Sequence, residues 1–265
     1  MVWEELSAEG WLGTSTANTA TQRPAHSIII PHCTIADPNS VSTLSLMPHT
    51  DKYKGIVEQF TNKWMHSKPL PQIERIFKIH PEASILKRYE EYKATVECCY
   101  GPFKGRSFPG GTRTMEVGNE QRRFHGTLAK CAIGTTNSQN TLCNESNCSV
   151  CGIIRTSFKK SFSGTRHTLE RYGIGIYFSS TSSKSDDYCG DGFPYGGARY
   201  KTMFLCKVVV GKVTKPMTNL VTLTSSPDGY NAVIGEPGRG SIKYDEVVVY
   251  ENAACYPAYL LVYKA

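Results

Sequence analysis

The regular patterning of apolar and polar positions begins near Asp51. Within Tyr53–His66, Ile56, Phe60 and Trp64 recur at every fourth position, which lays them along one face of a predicted α-helix. Residues 69–80 (PLPQIERIFKIH) read as extended, bounded by Pro69, Pro71 and Pro81. A second helix is predicted from Pro81, whose fixed φ suits a first helical position, with Ile85, Tyr89, Tyr92 and Val96 on one buried stripe. After the glycine-rich stretch 101–111 the pattern changes to short apolar runs. RRFHGT (122–127), GIGIYF (173–178), MFLCKVVVG (203–211), DEVVVY (245–250) and AYLLVY (258–263) are rich in β-branched and aromatic residues and read as strands. Two helices followed by a series of strands predict an α+β fold, not alternating βαβ units. Residues 225–241 (SSPDGYNAVIGEPGRGS) read as a turn-rich connector, and no internal repeat is visible.

Residues 1–50 differ from the rest. They are rich in Ser, Thr, Asn and Pro, with one short apolar run at 27–30, and are expected to be a poorly ordered extension that contributes at most an edge strand. Residues 51–265 are then the folded domain. The acidic N-terminus MVWEELSAEGWLG lacks a basic segment followed by an apolar run, so no secretory signal is expected. No stretch approaches the ~18 apolar residues of a membrane helix. The ten cysteines are accordingly expected as reduced thiols or metal ligands in an intracellular protein, nuclear or cytoplasmic. The net charge of +7 is scattered rather than clustered, which favours a solvated basic surface over a nucleic-acid patch. No membrane partner and no direct nucleic-acid binding are expected.

Several familiar nucleotide and hydrolase motifs are absent. GIGIYF opens with Gly-x-Gly but lacks the third glycine, and strand formers stand where a dinucleotide-binding helix should begin. There is no P-loop and no Gly-x-Ser-x-Gly elbow. Three strand segments nevertheless carry polar groups that packing alone does not require. His125 is followed by Gly126 and Thr127, and a glycine inside a strand often marks close approach of a ligand or of backbone. Tyr177 lies on a glycine-flanked strand that runs into Ser183–Asp187 and Tyr188, and Asp245 and Glu246 open another strand. Each has an ordinary alternative: a satisfied histidine, sheet packing and a solvated loop, and solvent-facing acids.

Taken in order, these segments resemble the catalytic domain of the poly(ADP-ribose) polymerase family, of the His-Tyr-Glu class of ADP-ribosyltransferases, in the compact form found in many fungal proteins. The resemblance spans residues 52–265 and includes FTNKW, RYEEY, FHGT, YGIGIYFSSTSSKSDDY, LCKVVVGK, SPDGYNAVIGEP and DEVVVYENAACYPAYLLVY. It implies an α+β fold with a split antiparallel sheet, flanking helices and an NAD cleft, in which NAD+ is consumed as a substrate and ADP-ribose passes to protein acceptors. By resemblance, His125, Tyr177 and Glu246 are the catalytic group. His125 would bond the adenosine-side ribose, and the Gly126 backbone and the Ser185 hydroxyl would hold the nicotinamide carboxamide. Tyr177 and Tyr188 would sandwich the ring. Thr127 stands where the family often has Ser, and Lys184 would lie near the ring and acceptor side.

Two features depart from that pattern. Between FHGT and GIYF lie Cys131, Cys143, Cys148 and Cys151, the last two a Cys-x-x-Cys pair of the spacing that zinc sites favour. Four thiolates there could close a structural zinc site; individually packed thiols are the alternative. The connection from GYNAVIGEP to DEVVVY is very short, which puts polymer elongation in doubt. No regulatory helical domain fits within the first 50 residues, so activation by DNA breaks is not expected. A catalytically weak or inactive NAD-binding module serving protein interaction is the competing class.

Overall fold

The computed structural model describes residues 42–107, 113–164, 171–239 and 242–265. The apolar run at 27–30, like everything before residue 42, lies outside the described residues. In chain order the elements are β1 (Ser42–Ser45), α1 (Asp51–Asn62), β2 (Ile73–His80), α2 (Ala83–Tyr100), β3 (Glu120–Gly126), α3 (Ser149–Thr156), β4 (Ile176–Phe178), α4 (Ser182–Asp186), β5 (Phe193–Tyr195), β6 (Ala198–Val209), β7 (Val213–Thr214), β8 (Ala232–Gly235), β9 (Glu246–Val249) and β10 (Cys255–Lys264).

The early helices follow their apolar spacing. Thr50 caps α1 by accepting from the Tyr53 amide at 3.3 Å, and Asp51 adds negative charge at the positive end of the helix dipole. Ile56 and Phe60 are buried, while Trp64 falls beyond the helix end at Lys63; its ring still packs 5.5 Å from that of Phe60. The second helix starts two residues after Pro81, because Glu82 is extended and serves as its N-cap. Ile85, Tyr89 and Val96 are buried, with Tyr92 packed beside them.

The strands form two sheets. One has the order β1-β2-β10-β6-β3, with β5 also paired to β6; the other has the order β4-β9-β8-β7. Pairing is antiparallel except between β7 and β8, which run parallel across the long connection that a parallel crossover needs. Helices α1 and α2 cover one face of the six-stranded sheet, through Ile56, Phe60, Ile85 and Tyr89 against Ile76, Leu205 and Leu261. Its other face packs on α3 and the four-stranded sheet, through Phe77, Phe204 and Leu260 against Ile154, Phe178 and Val249. Burial on both faces is why β10 reads as an unbroken apolar run instead of an alternating one. Pro257, which cannot donate to a ladder, sits where the pairing of β10 with β6 shifts register.

One reading from the sequence is corrected and one ordinary alternative is excluded. The turn-rich connector 225–241 contains an inner strand of the second sheet, β8, in which Ala232–Ile234 are buried apolar residues between turns. Ser183–Asp187 does not form a solvated loop: most of it belongs to the short helix α4, in which Ser182, Ser183, Ser185 and Asp186 are buried. The helix docks on the end of α1, where Ser182 donates to the Phe60 carbonyl at 2.7 Å and the Met65 amide donates to Ser183 Oγ at 2.9 Å.

Candidate active site

The two sheets meet at one antiparallel bridge, where Phe124 and Ser179 exchange amide–carbonyl bonds of 2.8 and 3.0 Å. Edge strands β3 and β4 thus come together there, with α4 following on from β4. His125 lies one residue beyond the bridge. Its Nδ1 is 2.9 Å from the Tyr177 carbonyl oxygen, and because a carbonyl only accepts, Nδ1 carries the proton. Burial pushes the His125 pKa below its ordinary value, with the bond to Tyr177 opposing in part. The ring is therefore neutral at pH 7 and Nε2 is left as an acceptor. Phe158 and Phe178 brace it at 4.9 and 5.7 Å between ring centroids.

Gly126 is required by backbone contact. A Cβ there would lie 1.8 Å from the Ser185 carbonyl oxygen, so only glycine lets β3 lie against α4. The Cys189 thiol donates to the Ser185 carbonyl at 3.4 Å and to the Thr202 carbonyl at 3.1 Å, fixing the same junction from the other side. Tyr177 is oriented through its hydroxyl, which donates to the Gly173 carbonyl at 2.7 Å and accepts from the Tyr172 amide at 3.1 Å. Gly173 has φ +67°, and a Cβ there would meet the Leu223 carbonyl at 2.0 Å. Ser185 is buried in α4, whereas Tyr188 is 40% exposed, leaving ring surface for a ligand. The Tyr188 and Tyr172 hydroxyl pKa values are both raised, first by partial burial and then by the nearby Glu246 carboxylate.

The acidic pair at the start of β9 divides into two roles. Asp245 accepts from Ser179 Oγ at 2.8 Å, from the Ser180 amide at 3.1 and 2.8 Å, and from Thr181 Oγ at 3.1 Å. Both its oxygens are occupied in joining the β4–α4 turn to β9. Glu246 is held at Oε1 by Lys184 Nζ at 2.7 Å, and Lys184 also donates to the Asp245 carbonyl. Glu246 Oε2 is buried with no hydrogen-bond partner. A buried carboxylate oxygen without a donor is costly unless something else fills the position. Two surface hollows of about 560 and 330 Å³ contain none of these residues.

Every residue singled out from the sequence for this site lies on β3, β4, α4 or β9 or within two residues of one of them, around the bridge. Sequence reasoning missed Asp245 as a cross-link, Phe158 as the support of the His125 ring, and Tyr172 as a neighbour of Glu246. Only adjacency to Glu246 hinted at Asp245, and nothing in the local pattern distinguished the two acids.

Comparison with known proteins agrees with this architecture. The family model of the poly(ADP-ribose) polymerase catalytic domain matches residues 50–241. The chain belongs to that family, whose catalytic domain has the ADP-ribosyltransferase fold. A probable poly [ADP-ribose] polymerase of Dictyostelium discoideum is 30% identical to it over 108 residues, 41% of this chain and 29% of the relative. The match thus spans less than a third of that relative. Among the described residues, no helix is long and apolar enough to cross a membrane.

Proposed function

We propose that the protein is an NAD+-dependent ADP-ribosyltransferase that attaches ADP-ribose to protein side chains, with His125, Tyr177 and Glu246 as its catalytic group. The observation that carries this reading is the Glu246 carboxylate, fixed by Lys184 on one oxygen and unpartnered on the other, beside the exposed ring of Tyr188.

The chemistry suits such a group. The bond between nicotinamide and ribose breaks with its electron pair passing to the nicotinamide nitrogen, and positive charge develops on the ribose as in glycoside hydrolysis. The acceptor then attacks the anomeric carbon and gives up its proton to solvent. Glu246 Oε2 accepts a ribose hydroxyl, a bond that strengthens as the charge grows and so favours the transition state over the bound substrate. Neutral His125 accepts a ribose hydroxyl at Nε2. Tyr177 and Tyr188 hold the nicotinamide ring between them, with the Gly126 backbone and the Ser185 hydroxyl on its carboxamide. No metal and no covalent enzyme intermediate are needed for this step.

The product is mainly mono-ADP-ribose or very short chains. The connection from β8 to β9 is brief and tied down: Arg239 pairs with Glu236 at 2.8 Å, its guanidinium donates to the Lys215 carbonyl, and Ile242 is buried. Among the described residues of this connection, Glu236, Arg239 and Ile242 are thus already engaged, which leaves less to hold a second flexible anionic chain in line, and such positioning dominates the rate of elongation. Nicotinamide release from NAD+ by the purified chain tests the transferase reading. No release from folded protein that binds NAD+ would leave an interaction module as the function. Automodification resolved on a gel, with poly(ADP-ribose) glycohydrolase as control, tests product length; a long ladder that collapses on treatment would overturn the short-product reading.

A further inference from the structure

The segment between β3 and β4 brings four cysteines together. One sulfur each from Cys131, Cys143, Cys148 and Cys151 lies within 4.8 Å of all the others. The Cys131 sulfur is 3.8 Å from that of Cys148 and 3.5 Å from that of Cys151. A tetrahedral zinc with Zn–S of ~2.3 Å places its sulfurs about 3.8 Å apart, whereas a disulfide needs ~2.05 Å. The Lys130 amide donates to the Cys148 sulfur at 3.3 Å. A second group, His66 with Asp186 and Asp187, is unlike this one. There Asp186 is already bound by Lys201 at 2.9 Å and by the Tyr263 hydroxyl at 2.8 Å.

We infer that Cys131, Cys143, Cys148 and Cys151 bind one structural zinc ion, and that this ion positions His125 through α3 and Phe158. Cys148 stands at the N-terminal boundary of α3 and Cys151 lies in its first turn, so two ligands belong to the start of the helix. Cys143 is tied to its other end, where Arg155 donates to the Cys143 carbonyl at 2.9 Å. Immediately after α3, Ser157 turns the chain at φ 61° and Phe158 packs edge-on against the His125 ring, 4.9 Å away. Cys131 is drawn back from the end of β3, so the ion closes the loop that runs from the His125 strand to the helix that braces it. This structural role stands apart from the transfer reaction, but its effect on NAD+ binding rests on His125 lying in the site proposed above.

The chain purified without chelator should contain close to one zinc, and cobalt(II) in its place should give the absorption of a tetrahedral thiolate centre. Cys143→Ala should lose the metal, while Cys143→His, which keeps a zinc ligand, should retain it. With a non-hydrolysable NAD+ analogue as probe, Phe158→Ala should keep the zinc and bind about 3- to 10-fold more weakly, the range expected for losing one aromatic contact. Cys143→Ala should weaken binding at least as much and Cys143→His should restore it. Metal-free wild-type protein with four freely alkylated thiols would overturn the site, and unchanged analogue affinity in folded Cys143→Ala would overturn the link to His125. Failure of nicotinamide release with zinc bound would count against the transferase reading and leave the metal site standing.

Discussion

Glu120 and Glu246 occupy equivalent local positions, each the first residue of a strand, β3 and β9, and each paired to lysine. Their side chains are 16% and 13% exposed, so burial does not distinguish them. Partners do. Glu120 accepts from the Tyr89 hydroxyl at 2.8 Å and pairs with Lys207 at 3.1 Å and Lys93 at 3.3 Å, which occupy both its oxygens. Glu246 has Lys184 on one oxygen and nothing on the other. The first is a structural pin behind the six-stranded sheet. The second holds back an acceptor at the junction of the sheets, which is where the proposed chemistry needs one. An unfilled hydrogen-bonding position on a buried carboxylate thus separates the two acids where burial and an ion pair do not.

The largest expected effect follows from that asymmetry. Glu246→Gln should abolish turnover, a loss of ~2.7–4 kcal/mol or more of transition-state stabilisation, while NAD+ affinity stays near wild type. Turnover and analogue binding measured together check this; near-wild-type turnover would remove Glu246 from its role. Glu120→Gln should do the reverse. Losing a charged, multiply bonded acceptor should cost about 1.5–3 kcal/mol in denaturant unfolding, with activity per folded molecule retained. Burial raises the Glu120 pKa, but the Tyr89 and Lys207 hydrogen bonds with the lysine charges outweigh it and hold it below the ordinary value. A depressed carboxyl stabilises the fold above its unfolded pKa of ~4.3 and loses that contribution as pH falls through its folded value. Glu120→Gln should therefore flatten the acid limb of the stability curve.

Tyr188→Ala should weaken a benzamide-type ligand by ~1–3 kcal/mol if the ring is stacked there, and calorimetry reads this directly. The smallest expected effect concerns pH. Because burial lowers the His125 pKa, the ring is neutral above its ordinary value of ~6.5, and NAD+ affinity should be flat from there upward. It should fall only on acidification below that value, as the Nε2 acceptor is protonated. An affinity that rises as pH drops from 8 to 6 would show instead that a charged imidazole does the binding.

Much of this was legible in the chain. The stripe Ile56–Phe60 placed α1, the apolar run of β10 placed a strand, and the order of His125, Tyr177, Tyr188 and Glu246 carried the family resemblance. These are local signals, since the period of apolar positions and the spacing of a motif survive without knowledge of the fold. β8 was missed because four residues between turns are too few for periodicity to show, and α4 because a serine-rich run looks solvated until α1 covers it. The spacing of the four cysteines allowed either a common site or separately packed thiols, and the fold brings their sulfurs together. What the tertiary structure alone decided was which acid of the Asp245–Glu246 pair is consumed in cross-linking and which keeps a free oxygen. That choice depends on Ser179, Ser180 and Thr181 arriving from the β4–α4 turn to fill Asp245, and on Lys184 arriving from α4 to take one side of Glu246. Hydrogen-bond satisfaction is a property of atoms brought together by strand pairing and helix docking, and no local pattern of residue types encodes it.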